Sequence, residues 1–142
     1  MNIRMKFKKH GCMKFIGHLD IMRYFQKAIR RADIDIAYSE GFSPHMIMSF
    51  AAPLGVGLTS EGEYVDLQVN SCGSSKAAVD ALNRVMVDGM EVVSFKLLPE
   101  TVKNAMASVA AADYFVKFRE GYAPENWEEK FNAFLQKEEM LI

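Results

Sequence analysis

The chain has 142 residues, the usual size of one domain, and a chain of this length buries roughly two thirds of its unfolded surface. Half of it is hydrophobic, 25% is charged, and Gly and Pro number only 9 and 4, which excludes a disordered tail, a fibrous repeat and a complete large-barrel enzyme. A net charge of −1 says nothing about partners unless the charges are unevenly placed.

Asn2 to Lys8 alternates strictly, with Ile3, Met5 and Phe7 on one side and Arg4, Lys6 and Lys8 on the other. That is the period of a half-buried strand with a basic outer face. After the His10-Gly11 break and the short stretch Cys12 to Ile16, Gly17-His18-Leu19-Asp20 opens a helix, its acid suiting the positive end. Met22, Phe25, Ile29 and Ala32 recur at three- and four-residue steps and predict a core face, which sets Arg23, Lys27, Arg30 and Arg31 on the opposite side. Asp33 to Tyr38 alternates again as an extra strand and enters the turn-rich loop Ser39-Glu40-Gly41-Phe42-Ser43-Pro44-His45. Met46 to Ala51 reads as a buried strand, Pro53 to Gly57 as a loop or bulge, and Glu63 to Val69 as a half-exposed strand with Val65, Leu67 and Val69 on one face. Ser74 or Ser75 caps a second helix striped by Val79, Leu82, Val85 and Met86, and Gly89 is its stop signal. Glu91 to Leu97 then predicts a strand, ended by Pro99.

This order predicts an α+β fold over residues 1–99: a ferredoxin-like βαββαβ sandwich with an extra strand and both helices on one sheet face. Residues 100–142 predict a further strand, Ala112 to Arg119, and a helix introduced by Pro124 and carrying Trp127, Phe131, Phe134 and Leu135 at helical spacing. The expectation is an incomplete second β-α unit, the start of a truncated α+β domain.

The first fifty residues hold nine Lys/Arg against four acids, a balance of +5, so the remainder carries −6. Clustered like charge is costly unless it is solvated or neutralised, and such asymmetry fits a polyanion or an acidic partner surface. The rows Arg4/Lys6/Lys8 and Arg23/Lys27/Arg30/Arg31, flanked by Tyr24, Phe42 and His45, combine cations for phosphates with flat rings for bases, a mixture suited to flexible RNA. Read together they form one cationic platform; the competing readings are an acidic protein partner, plain solvation of outer faces, and rows set on opposite faces of the sheet that form no single patch. His18, Asp20 and His45 are candidate catalytic residues. If the turn Gly41 to His45 folds over the helix start, His18, His45 and Ser43 could serve as acid and base on an RNA 2′-hydroxyl without a metal. The competing roles are a helix cap for His18 and a dipole partner for Asp20.

Cys12 and Cys72 cannot make a disulfide framework or hold an iron–sulfur cluster. The spacing of His10, Cys12, His18 and Cys72 matches no usual zinc pattern, so no metal site is expected. Gly55-Val56-Gly57 with Gly62 is not a phosphate loop, because Ser60 breaks the frame and no lysine follows. Met1 to Lys9 has no signal-peptide core and no stretch reaches membrane-spanning length, so a cytoplasmic location without membrane attachment is expected.

Four ordered motifs, Gly17-His18-Leu19-Asp20-Ile21-Met22-Arg23, Ala28-Ile29-Arg30-Arg31-Ala32, Tyr38 to His45 and Ser60-Glu61-Gly62-Glu63-Tyr64-Val65-Asp66, resemble the radical-SAM-linked bacterial proteins of unknown function. The resemblance covers about residues 3–140. It implies a radical-SAM protein, fused or encoded nearby, as partner, with the iron–sulfur cluster and S-adenosylmethionine on that partner and no cofactor in this chain. Members commonly carry Ser in place of Gly17, and Pro followed by a basic residue in place of Met46-Ile47, so this chain lacks a cation after His45. Members are also longer than this chain. The first hundred residues are similar, at fold level, to ferredoxin-like RNA-processing proteins of CRISPR systems. The expected function is an accessory protein that binds or presents an RNA or ribosomal substrate to the radical-SAM partner. The alternatives are a metal-independent ribonuclease using His18 and His45 and a pure protein-interaction module.

Overall fold

Alternation at the N-terminus becomes β1 (Asn2–Lys9), in which Ile3, Met5, Phe7 and Lys9 are buried and the residues between them are not. A computed structural model describes residues 1–139 of the chain. A 3-10 turn (Gly11–Phe15) leads to α1 (His18–Arg31), followed by β2 (Met48–Phe50), β3 (Ser60–Gln68), α2 (Ser75–Val85) and β4 (Met90–Leu97). The sheet order is β2-β3-β1-β4, and each neighbouring pair is antiparallel. With α1 joining β1 to β2 and α2 joining β3 to β4, this is the expected ferredoxin-like α+β arrangement.

The core lies between the sheet and the two helices. Ile21, Phe25, Ala28 and Ile29 of α1 and Ala78 and Leu82 of α2 are buried against Met5, Phe7, Val65, Leu67, Val92 and Phe95. Three rings join β1, α1 and β2: Phe7 and Phe25 have centroids 4.7 Å apart, Phe25 and Phe50 5.7 Å, and Phe7 and Phe50 6.0 Å. A register shift between Lys6 and Phe7 against β4 accommodates an extra residue there, so Val92 and Phe95 both stay inward while Val93 is exposed. Asn83 of α2 reaches Val92 with both ends of its amide, donating to the carbonyl at 2.9 Å and accepting from the N–H at 2.8 Å.

Ser74 is the cap of α2, its hydroxyl accepting from the Ala77 N–H at 3.0 Å. The helix ends at Val85, and Gly89 (φ +89) turns the chain into β4. A Cβ at Gly89 would lie 2.5 Å from the His10 carbonyl oxygen, so only glycine fits that approach.

Two segments differ from their sequence patterns. Asp33 to Tyr38 makes only the isolated bridges Ile36–Val69 and Tyr38–Met46. Asp33 has φ +55, and in place of a continuous ladder the extra segment is held by the Asp35 side chain, fastened by Asn70 at 2.9 Å and Ser71 at 2.6 Å, and by separate backbone bonds such as the Ala37 N–H to the Gln68 carbonyl at 2.7 Å and the Asn70 N–H to the Asp35 carbonyl at 2.8 Å. Ala112 to Arg119 forms no strand among the described residues and is exposed throughout. Alternation decides which side chains share a face, but a strand also needs a neighbour to take its N–H and C=O groups, and none is supplied there.

The chain divides into two units, Met1–Ala110 and Ala111–Ile142. The first runs beyond Pro99 because α3 (Ala105–Ser108) returns to β2 and β3, burying Ala105. In the second, α4 (Trp127–Leu135) occupies the stretch of helical spacing, and Phe118 meets Trp127 at 5.3 Å. Among the described residues, no helix is long and apolar enough to cross a membrane.

Candidate nucleic-acid interface

The pleat of β1 sends Arg4, Lys6 and Lys8 to the sheet face that α1 and α2 leave uncovered. The buried stripe of α1 turns Arg23, Lys27, Arg30 and Arg31 away from the sheet. The two basic rows therefore lie on opposite sides of the sandwich and form no common platform.

The strand row is partly neutralised. Arg4 makes a bidentate pair with Asp66, Nε to Oδ1 at 2.8 Å and Nη2 to Oδ2 at 3.0 Å, and Nη2 also donates to the Lys103 carbonyl at 2.9 Å. The Asp66 hydrogen bond is the main cause that raises the guanidinium pKa further above its ordinary value, against desolvation. Lys8 Nζ lies 3.4 Å from Glu61 and 3.8 Å from Glu91, both solvent-exposed. Lys6 has no carboxylate partner among the described residues; its Nζ stands 5.8 Å from the centroid of the Tyr64 ring, its neighbour across the β1–β3 ladder. Lys96 of β4, opposite Arg4, is exposed on the same face.

On the helix side Arg23 pairs with Asp20 at 3.3 Å, while Lys27, Arg30 and Arg31 are exposed without an ion pair among the described residues. Tyr24 is committed to packing: its hydroxyl accepts from the Val87 N–H at 2.8 Å. The helix row thus carries charge without a free ring.

The loop Gly41-Phe42-Ser43-Pro44-His45 is a closed turn at the start of β2. Ser39 Oγ lies 2.9 Å from His45 Nδ1 and accepts from the His45 N–H at 3.1 Å, and Gly41 takes φ +108 to leave Phe42 fully exposed at the tip. His18, the first residue of α1, sits instead at the other end of β2, edge-on to Phe50 at 5.1 Å. No hydrogen bond joins His18 to His45, so the acid–base pair read from the sequence is not assembled.

Lys9 is the residue that charge alone hid. The alternation that buries Ile3, Met5 and Phe7 also turns Lys9 inward, where it is 2% exposed and donates from Nζ to the Ile16 carbonyl at 3.1 Å. With His18 and Glu63 it lines a cavity of about 10 Å³ under Phe50 and Leu54, room for one water. Burial pulls the Lys9 pKa below its ordinary 10.5, and Glu63 opposes the shift. The unfolded chain therefore binds more protons between the folded pKa and 10.5, and stability rises with pH across that window. In urea melts taken at increasing pH, the native protein should gain stability relative to Lys9→Met up to about that upper limit and level off above it. A difference that stays constant with pH contradicts this assignment.

Compared with known families, the chain matches over residues 2–142 a family model described as an uncharacterized protein conserved in bacteria (DUF2344). No curated protein matches the sequence.

Proposed function

The chain belongs to this uncharacterized bacterial family, and on the geometry above we propose that it is an accessory protein that binds RNA on the open face of its sheet and presents it to a radical-SAM partner. The motif resemblance supports the partner, on which the iron–sulfur cluster and S-adenosylmethionine would reside. The RNA reading is carried by one observation: Lys6 stands over Tyr64 on a four-stranded face that the helices do not cover. A phosphate needs a cation and an unpaired base needs a flat ring, and a sheet holds both at fixed spacing. Lys96 extends the positive edge of that face. The α1 row, charged but without a free ring, fits an acidic protein surface better than a single nucleic-acid strand.

Fluorescence anisotropy with short single-stranded RNA, titrated with salt, tests this. Affinity should fall with added salt, and Lys6→Glu combined with Lys96→Glu should weaken binding about tenfold or more and flatten the salt slope. Tyr64→Leu should weaken binding while leaving that slope unchanged. Arg23→Glu with Arg30→Glu should change little. Salt-independent binding, or a loss confined to the helix variant, overturns the reading.

A further inference from the structure

Beyond β4 the chain crosses back over one end of the open face as a strap. It is fastened twice at the Arg4–Asp66 pair: Arg4 Nη2 donates to the Lys103 carbonyl at 2.9 Å, and the Ala105 N–H donates to Asp66 Oδ2 at 2.6 Å. Between strap and sheet lies a cleft of about 240 Å³, with Asn2, Ser49 and Gln68 on the sheet wall and Pro99 and Val102 on the strap wall.

Among the described residues, Asp66 is the one charged residue lining this cleft, and its oxygens are occupied by Arg4 and Ala105. The Asn104 side-chain carbonyl is engaged as well, accepting from the Ala107 N–H, while its Nδ2 donor has no partner among the described residues. Asn2, Ser49 and Gln68 are left to meet a guest with two carboxamides and a hydroxyl, opposite an apolar wall. The lining is thus electrically balanced, rich in paired donors and acceptors, and greasy on one side. A phosphate or a carboxylate would find no free cation there, whereas an uncharged planar ring with hydrogen-bonding edges matches both walls. The volume falls below the roughly 300–1,000 Å³ of sites for drug-sized ligands, which suits a single ring system. Asn2 lies on the same β1 face as Lys6, roughly 13 Å along the strand, within reach of neighbouring nucleotides.

We infer that this cleft takes one unpaired nucleobase of the bound RNA. The inference rests on the RNA reading above, and the test has two arms so that either can fail alone. In the first, adenosine, guanosine, cytidine and uridine, which carry no phosphate, are titrated separately while the backbone amide resonances of Ser49 and Gln68 are followed by NMR. In the second, a short RNA is compared with an abasic ribose-phosphate chain of equal length by anisotropy. At least one nucleoside should shift both resonances, and the base-bearing RNA should bind about tenfold tighter than the abasic chain. Ser49→Leu, which fills the cleft, and Gln68→Leu, which removes a carboxamide, should abolish that preference and leave the salt slope intact. RNA binding without nucleoside shifts, and with both variants unchanged, overturns the base pocket and leaves the RNA reading standing. Nucleoside shifts without RNA binding uphold the pocket's ligand class and overturn the RNA reading. The absence of both removes both.

Discussion

Phe25→Ala should lower the unfolding free energy by about 3–5 kcal/mol. Phe25 is 0% exposed and sits between Phe7 of β1 and Phe50 of β2, so its ring connects the central strand, the first helix and the short edge strand. Truncation loses the transfer free energy of the ring, leaves a cavity and removes three aromatic contacts, to Phe7, Tyr24 and Phe50, of about 0.5–1.5 kcal/mol each. Against the roughly 5–15 kcal/mol that small domains possess, this is a large fraction. The midpoint of a urea or guanidinium melt should drop with little change in slope. The β2 amides, whose ladder spans only three residues, should lose hydrogen-exchange protection most. A destabilisation under about 1 kcal/mol would mean that the three rings do not act as one packed unit.

Asp66→Ala should cost about 2–3 kcal/mol, between the value of an exposed ion pair and that of a buried one. Its carboxylate accepts two hydrogen bonds from Arg4 and one from the Ala105 N–H, and the side chains of Arg4 and Asp66 are only 19% and 17% exposed. Removing it strands a poorly solvated guanidinium and an amide donor. It also unfastens the strap from the sheet, so exchange at the Ala105 amide should accelerate far more than exchange in β1. Unchanged protection at Ala105 would show that the strap is held by its apolar contacts instead.

Local period carried much of the fold. The two-residue alternation of Ile3, Met5 and Phe7 and the serine cap before α2 depend on neighbours within a few residues, and both appear in the structure. Of the expected α1 stripe Met22, Phe25, Ile29 and Ala32, Phe25 and Ile29 are buried, while Met22 and Ala32 are only partly buried and Ile21 and Ala28 take the core positions. What period cannot supply is a partner. Among the described residues Ala112 to Arg119 has no strand beside it, and Asp33 to Tyr38, entered through Asp33 at φ +55, makes two isolated bridges rather than a strand ladder.

The placement of the basic rows followed from the fold itself. Once both helices cover one face of the sheet, outward residues on β1 and on α1 must look in opposite directions. Treating them as one platform gave charge precedence over topology. Lys9 was legible in the same way, since it occupies an inward position of the alternation, but a lysine is rarely buried and its charge masked the pattern. Contacts such as Arg4 with Asp66, 62 residues apart in sequence, and Asn83 with Val92 leave no mark in a local pattern. They depend on strand register and on how α2 seats, which only the assembled sheet fixes.

The amide chemical-shift footprint of a short single-stranded RNA measures most directly whether the open sheet face is the binding surface. Shifts concentrated at Lys6, Tyr64, Ser94 and Lys96, with the amides of Lys27, Arg30 and Arg31 unmoved, are the expected result. A footprint confined to α1, or no shifts at saturating RNA, would contradict it.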